Sequence, residues 1–469
     1  MRQILLIGIV CFSTACTVGP NYRRPSLPTP QSFRAPDPLP PGQADSFADL
    51  KWFEVFKDEQ LQALIRRALE RNYDLRDAVA RVEEARASLG ITRSDQFPSF
   101  GAGGAVEINR LSRDGATPIP PELVSNQDRN FGTAALQLLS FEVDIWGKLR
   151  RATEAARANL LSADENRKAV ITTLVSDVAT AYLTLRELDY ELEISRRTLQ
   201  TRNESLELTK SREVYGVSTE LDLRQAEQLV YTASETIPDI QRQIEQTENQ
   251  ISLLLGESPN AVLRGKALTE QQLPPEVPPG LPSALLERRP DILAAEQDLV
   301  AANAQIGVAR AAYFPTLSLS GALGGASTQL SSLFSGPASL WNLTPQITQP
   351  IFTAGRLKSN VRLAEAEHER MLIHYEKTIQ TAFTEASDAL IAHQRFRESR
   401  AEQEALEKTL EDRLRLAYRR YHGGVDTQLN ALDADRDLFQ AQLDLARLRL
   451  EEILSVVQLY KALGGGWQS

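Results

Sequence analysis

Apolar residues recur at intervals of three and four along most of the chain, and this period predicts α-helices. Two segments, 149–213 and 357–421, contain neither proline nor glycine, so each is predicted to form one unbroken helix. At 1.5 Å per residue, a helix of about 65 residues is roughly 100 Å long. The second segment also carries the 4–3 seam typical of coiled-coil packing, at Leu357, Val361, Ala364, His368, Met371 and Tyr375.

A glycine follows each long segment, at Gly216 and at Gly424, and helical patterning then resumes. Glycine takes up the left-handed conformation that ends a helix and allows a tight reversal. The sequence therefore predicts two helical hairpins. The first covers 148–255 with its tip at 215–219, and the second covers 356–463 with its tip at 421–427.

A period of two replaces the helical period at four shorter places. Within 131–146, the apolar residues Leu139, Phe141, Val143 and Ile145 alternate with the polar residues Ser140, Glu142 and Asp144. Such alternation predicts a strand with one apolar and one polar face. We predict four strands, at about 97–109, 131–146, 314–324 and 341–352.

Matching residues in the two halves of the chain are separated by the same intervals. A spacing of 23 positions joins Asp74 to Phe97 and Asp291 to Phe314, and one of 70 positions joins Gly147 to Val217 and Gly355 to Val425. A repeat of this length is a whole structural half rather than a solenoid unit. The chain is therefore predicted to be a tandem duplication. Its repeats lie at 58–258 and 283–469, and a proline-rich linker at 259–282 joins them.

Composition excludes some classes of function. The net charge is −10, and acidic and basic residues are interspersed rather than gathered on a basic face, which argues against a nucleic-acid partner. No run of eighteen apolar residues occurs, so we expect no transmembrane helix. If the strands cross a bilayer, they must form a closed barrel, and four strands require further chains to close it. A soluble four-stranded sheet is the alternative.

The N-terminus has the pattern of an exported protein. Residues 1–15 read as a signal peptide, and Ser13-Thr14-Ala15-Cys16 resembles a bacterial lipobox, which predicts a covalent lipid on Cys16. A plain signal peptide with an incidental thiol is the alternative. Residues 16–57 are predicted to form a lipidated, proline-rich arm in an extended conformation. No other cofactor and no metal site is predicted.

Several motifs together resemble one family. They are Cys16–Tyr22, Trp52–Phe53, Ser140–Gly147, Glu287–Ile292, Ala311–Pro315, Gln349–Phe352 with Gly355–Arg356, and Arg420–Ala434. The chain resembles the outer-membrane efflux family (TolC/OprM-like), in the lipoprotein branch that serves resistance-nodulation-division pumps. The resemblance implies an α+β membrane protein. It would be a homotrimer, with a 12-stranded outer-membrane β-barrel built from four strands per chain and continuous with a 12-helix periplasmic α-barrel of coiled-coil hairpins.

The resemblance also implies partners and a location. The partners are outer-membrane lipid, a periplasmic adaptor (membrane-fusion) protein and an inner-membrane resistance-nodulation-division transporter. We expect a lipid-anchored protein in the outer membrane of a Gram-negative bacterium, with a long periplasmic extension and with the linker in an equatorial region. It would conduct drugs or other small molecules outward and would not be an enzyme. A lipid-anchored periplasmic coiled-coil adaptor or scaffold, and a channel for type I secretion or metal efflux, are the alternatives.

Candidate site residues follow from the pattern and the resemblance. By resemblance, Leu429 and Asp433 form the narrowest rings of a periplasmic gate, and Tyr421, Arg420 and Asp222 form links that keep it closed. We expect the adaptor to contact the hairpin tips at Gly216, Val217, Ser218, Gly424 and Val425. The polar strand positions predict a barrel lumen lined by Ser140, Glu142, Asp144, Thr316, Ser318 and Ser320.

Overall fold

Long helices make up most of the described chain. The computed structural model describes residues 17–26, 28, 30, 32–35, 46–110, 128, 130–271, 280 and 282–467. The signal peptide and Cys16 lie outside these residues. The helices are α1 Glu59–Arg71, α2 Tyr73–Ser94, α3 Lys148–Val214, α4 Glu220–Leu254, α5 Pro290–Ala311, α6 Arg356–His422 and α7 Gln428–Ala462, with one-turn helices at Trp52–Val55 and Leu285–Arg288.

The helices occur in matched pairs, as a duplication requires. Helices α3 and α6 each have 67 residues, α4 and α7 each have 35, and α2 and α5 each have 22. The prediction of two long unbroken helices is confirmed. All six seam residues of α6 from Leu357 to Tyr375 are buried or half-buried, whereas most of their neighbours are exposed.

The four strands form one antiparallel sheet in the order β1-β2-β3-β4. Their bounds are β1 Phe100–Glu107, β2 Phe131–Val143, β3 Thr316–Ser327 and β4 Ser339–Thr348. Strands β1 and β2 are shorter than predicted. Strand β3 extends beyond its predicted end, and β4 is displaced toward the N-terminus. Strand β2 of the first repeat pairs with β3 of the second, so the sheet joins the two copies.

The compact units of the chain do not coincide with the sequence repeats. One unit contains 83–162 and 296–374, with the four strands, together with the N-terminal arm up to Pro25. The other contains 26–82, 163–295 and 375–469. Each unit therefore contains residues from both sequence repeats. Packing between elements of different repeats, which local pattern does not encode, sets these boundaries.

The first part of the predicted linker is packed rather than free. The Arg264 guanidinium pairs with Asp189 at 3.1 Å and also with Glu248. The backbone N–H of Gly265 donates to the hydroxyl of Tyr182 at 2.8 Å, and that hydroxyl donates to Asp58 at 2.9 Å. These contacts tie the linker to α3, α4 and the residue that caps α1 within the same compact unit.

The first described residues of the N-terminal arm, 17–25, are packed against the rest of the chain, a contact that the prediction of an extended arm did not include. The backbone N–H of Val18 donates to the carbonyl of Trp146 at 3.0 Å. The buried Arg151 donates to the Asn21 side chain at 2.6 Å. A Cβ on Gly19 would lie 2.5 Å from the Cα of Gly307, so only glycines allow the arm this close to α5.

One described helix, Lys148–Val214, contains an 18-residue window that is long and apolar enough to cross a membrane. Of that window, 56% is buried within the protein. A core helix of a soluble protein has the same composition, so the window by itself is weak grounds for a membrane span.

Candidate functional site at the sheet and the helix tips

One face of the sheet is apolar from edge to edge. Residues opposite each other in an antiparallel ladder point to the same face. The register aligns Phe100 with Leu138, Leu138 with Gly321, and Gly321 with Leu343. Seven side chains of this face are more than half exposed: Phe100, Val106, Leu136, Leu323, Trp341, Leu343 and Ile347. A soluble sheet would cover such a surface.

The opposite face carries polar and small side chains. Glu142 is aligned with Ser318, Ser320 with Thr344, and Thr316 with Thr348. Four of the six predicted lumen residues, Glu142, Thr316, Ser318 and Ser320, therefore share this face. The ammonium group of Lys148 donates to the Glu142 carboxylate at 3.0 Å. Whether this face lines a lumen stays a prediction.

The other two predicted lumen residues lie outside the regular β2–β3 ladder, and their place in a lumen also stays a prediction. A register shift between Leu138 and Phe141 leaves Ser140 in a β-bulge, without a partner on β3. Asp144 lies beyond the end of β2, and its carboxylate accepts the backbone N–H groups of Leu149 at 3.2 Å and Arg150 at 2.9 Å. Asp144 therefore satisfies the free N–H groups that begin α3.

The two hairpin tips have the same backbone geometry. Gly216 and Gly424 have φ of 69° and 71°, which confirms them as the left-handed residues that end α3 and α6. Val217 and Val425 follow them and are 64% and 67% exposed. Ser218 is half-buried. The tips thus present apolar side chains to solvent, and their contact with an adaptor stays a prediction.

The predicted gate residues lie on one turn of α7. Leu429 is 46% exposed, and the Asp433 carboxylate pairs with Arg436 at 3.2 Å. Neither residue is part of a hydrophobic core within the described chain. The sequence analysis did not predict this contact of Asp433 with Arg436. An aspartate and an arginine three residues apart on a helix commonly form an ion pair, so the spacing could have indicated it.

The predicted closing links already have partners within the chain. The hydroxyl of the buried Tyr421 donates to Gln428 at 3.2 Å, and Gln428 donates to the Thr209 hydroxyl at 2.7 Å. Arg420 pairs with Asp426 at 2.9 Å, and Asp222 forms the N-terminal capping box of α4 with Thr219. Links between neighbouring chains stay a prediction.

The family model described as outer membrane efflux protein matches residues 64–257 and 281–465. These ranges include both repeats. The chain belongs to the outer membrane efflux protein family. Its membership confirms the family expected from the motifs, and the α+β fold with four strands per chain agrees with it.

Relatives and solved structures place this family member among channels. The probable efflux pump outer membrane protein TtgC of Pseudomonas putida is 38% identical over 470 residues, covering 99% of this chain and 96% of the relative. The cation efflux system protein CusC of Escherichia coli is 36% identical and covers 99% of both. The open state of the MtrE outer membrane channel of Neisseria gonorrhoeae matches with a TM-score of 0.86 at 31% identity, covering 97% and 99%. This chain is an outer-membrane efflux channel protein.

A buried ion pair, which the sequence analysis did not predict, joins the two hairpins of this efflux protein. Arg202 of α3 donates through Nε to the Asp435 carboxylate of α7 at 2.6 Å, and through Nη1 to the Leu229 carbonyl of α4 at 2.9 Å. The guanidinium also lies 4.9 Å from the Phe439 ring centroid. The corresponding position of the second repeat holds Leu410, so only one copy has this link.

A pair of buried carboxyl groups faces the same helix from α3. Glu187 and Glu191 are 4% and 5% exposed, and Arg447 of α7 pairs with Glu191 at 3.1 Å. Burial, and then the charge and hydrogen bond of Glu191, raise the pKa of Glu187 to about 8. At neutral pH the Glu187 carboxyl therefore keeps its proton.

Proposed function

We propose that this chain is the outer-membrane component of a tripartite efflux system, in which three copies close a 12-stranded barrel. One observation carries the proposal: the sheet has an exposed apolar face and a polar face, and its edge strands β1 and β4 lack a partner within the described chain. In a bilayer, an open sheet edge would leave backbone groups without hydrogen bonds, so the sheet must close.

Three copies account for both faces of the sheet. Strand β4 of one copy would pair with β1 of the next, which removes every edge. Twelve tilted strands enclose a water-filled channel, whereas eight leave room for little more than side chains. The apolar face, including Trp341 and Leu343, would then contact lipid. The polar face, including Glu142 and Ser318, would line the channel.

The gate is proposed at the tips of the second hairpins. Three copies of Asp433 would converge on the symmetry axis, and a ring of carboxylates narrows a pore and favours cations. Leu429, four residues earlier on the same helix, would form an apolar ring. In the closed state, neighbouring hairpins would be linked by Tyr421, Arg420 and Asp222. These residues would then give up their hydrogen bonds and ion pairs within the chain.

The partners are proposed from the family. The exposed tips at Gly216–Ser218 and Gly424–Val425 suit an adaptor that docks end to end with the helical hairpins, and the adaptor in turn would join an inner-membrane resistance-nodulation-division transporter. One relative from Pseudomonas putida is named as a toluene efflux pump outer membrane protein, which supports small organic substrates. The name of CusC supports a cation efflux system as a second candidate.

A covalent lipid on Cys16 is part of the proposal. The next residue, Thr17, packs on Gly147, where a Cβ would lie 2.8 Å from the Thr17 side chain. The docked arm would hold the acylated residue beside the junction of β2 and α3. Each buried methylene of the acyl chains would contribute about 0.8 kcal/mol to membrane attachment.

The test is the conductance of purified trimers in a planar bilayer. We expect Asp433→Ala combined with Tyr421→Phe to raise resting conductance and to lower cation preference. Asp412→Ala is the matched control, because the exposed Asp412 carboxylate lies on the same hairpin and pairs with Arg415 at 2.7 Å. Equal conductance and selectivity in wild type and double variant would exclude this gate. A protein that migrates only as a monomer and is released from membranes by salt would exclude the channel.

A further inference from the structure

The second repeat contains a long uncharged segment. Between Arg310 and Arg356 no aspartate, glutamate, lysine, arginine or histidine occurs, although 24% of the whole chain is charged. The segment includes β3, β4 and the turn that joins them, residues 328–338, which we term the β3–β4 loop. The corresponding loop of the first repeat begins at Arg110 and contains charges of both signs up to Arg129. The two loops are therefore built for different surroundings.

The β3–β4 loop pairs several of its own polar groups. It contains two 3₁₀ turns, Leu330–Ser332 and Gly336–Ala338. Backbone bonds run from Ser332 to Gln329 at 3.1 Å and from Ala338 to Ser335 at 3.0 Å. Serine hydroxyls of the same segment also donate to its own carbonyls, from Ser332 to Gln329, Ser335 to Ser332 and Ser339 to Gly336, at 2.7–3.0 Å. Such pairing lowers the cost of moving the loop from water into an apolar environment, because fewer polar groups lose their partners.

The loop lies against the apolar face of the sheet. Leu333 is 5% exposed, and its carbonyl oxygen would lie 2.1 Å from a Cβ on Gly325 of β3. Phe334 borders a shallow hollow of about 480 Å³ whose walls include Leu136 of β2 and Leu323 of β3. Both leucines belong to the apolar face.

Leu333 thus anchors the loop, while its remaining large side chains point outward. Phe334 is 86% exposed and Leu330 is 77% exposed. Trp341, at the start of β4 and on the same apolar face, is 77% exposed. Tryptophan is enriched at the boundary between acyl chains and head groups. Its place beside the loop puts the loop at the level of that boundary.

We propose that the β3–β4 loop is a lipid-binding element, with Leu330 and Phe334 inserted among the acyl chains of the outer leaflet. The proposal rests on the proposed barrel, because it requires the apolar face to contact lipid. An uncharged loop with internally paired polar groups and two protruding apolar side chains fits acyl chains better than water, since unpaired polar groups in lipid are costly. The absence of charge argues for acyl chains and against lipid phosphates as the ligand.

A neighbouring copy of the chain is the alternative occupant. The hollow beside Phe334 is lined by β1, β2 and β3 of the same chain, including Ala102 and Ala134. The loop therefore lies over its own sheet, on the side of the β1 edge, and a contact with the copy that would pair with β1 is a separate outcome of the test below. Insertion of the loop would give each trimer three additional contacts with the outer leaflet.

Site-specific labelling of the full-length protein in vesicles tests the proposal. An environment-sensitive fluorophore is attached to single cysteines that replace Phe334 in the loop, Leu343 on the apolar face, or Asp128 in the charged loop of the first repeat. The chain without an introduced cysteine gives the background of the native thiols. Quenching by lipids brominated along the acyl chain is compared with quenching by aqueous iodide.

We expect the Phe334 and Leu343 labels to be quenched by brominated lipid and the Asp128 label by iodide. The most effective bromine position should be shallower for Phe334 than for Leu343. If iodide quenches the Phe334 label while brominated lipid still quenches the Leu343 label, the loop is not inserted in lipid, but the proposed barrel is supported. If Leu343 also reports water, the barrel itself is wrong. If neither agent quenches the label at position 334, that label lies in a protein contact, and the proposed insertion into lipid is wrong.

Discussion

Replacement of Arg202 by methionine tests how the two hairpins are held together. Arg202 and Asp435 are 4% and 7% exposed, and their 2.6 Å contact joins α3 to α7. Methionine keeps much of the apolar stem but removes the charge and the bond to the Leu229 carbonyl. Asp435 would then remain buried without its counter-ion.

The expected loss is large because the pair is desolvated. Removal of one member of a buried ion pair costs about 3–5 kcal/mol, since the other charge stays buried and uncompensated. Arg413→Met is the matched control: it breaks a pair with Asp437 whose side chains are 48% and 35% exposed. An exposed pair of that kind contributes about 0–1 kcal/mol. Arg202→Met combined with Asp435→Leu should recover most of the loss, because no charge is left buried.

Native-state hydrogen exchange measures the loss locally, helix by helix, and does not require the whole protein to unfold. We expect faster exchange in α3 and α7 for Arg202→Met, near wild-type exchange for Arg413→Met, and partial recovery in the double variant. Equal exchange in Arg202→Met and Arg413→Met would refute the claim that burial decides the cost. A double variant that exchanges as fast as Arg202→Met would show that lost packing, and not the buried charge, is responsible.

Two further predictions concern pH and the docked arm. The folded chain holds a proton on Glu187 up to about pH 8, whereas the unfolded chain releases it near 4.5. The thermal stability of the wild type should therefore fall as pH rises between these values, and Glu187→Gln should flatten the fall by removing the group that titrates. An unchanged dependence of thermal stability on pH in Glu187→Gln would contradict this prediction. Gly307→Ala places a Cβ 2.8 Å from the Val18 carbonyl, so limited proteolysis should cut the arm faster, whereas Gly90→Ala, with nothing within 4 Å, should not change cleavage.

Local pattern predicted the helices well and the strands less well. The 67-residue helices followed from the absence of proline and glycine, and their ends from Gly216 and Gly424. The bulge at Leu139 and Ser140 could not be read from alternation, because a bulge depends on the register with a partner strand. Asp144 continued the alternation, but it lies beyond the end of β2 and its carboxylate caps α3. An aspartate just before a helix is a capping signal that could have identified its role.

Contacts between distant residues could not be predicted from one sequence. The Arg202–Asp435 pair spans 233 positions, and the Arg151–Asn21 bond that docks the arm spans 130. A charged residue on a helix is usually exposed, so nothing local distinguished Arg202 from its neighbours. The prediction that Leu429 and Asp433 form a gate rests on resemblance alone.

The sequence by itself determined the duplication, the two helical hairpins, the presence of four strands and the family, because these depend on local periodicity, on glycine and proline, and on motifs. Only the tertiary structure decided that the compact units mix the two repeats, that the arm packs on Gly307, and that the β3–β4 loop folds onto the apolar face. Each of these depends on the free energy of contacts between segments far apart in the chain, and such contacts leave no periodic signal in either segment.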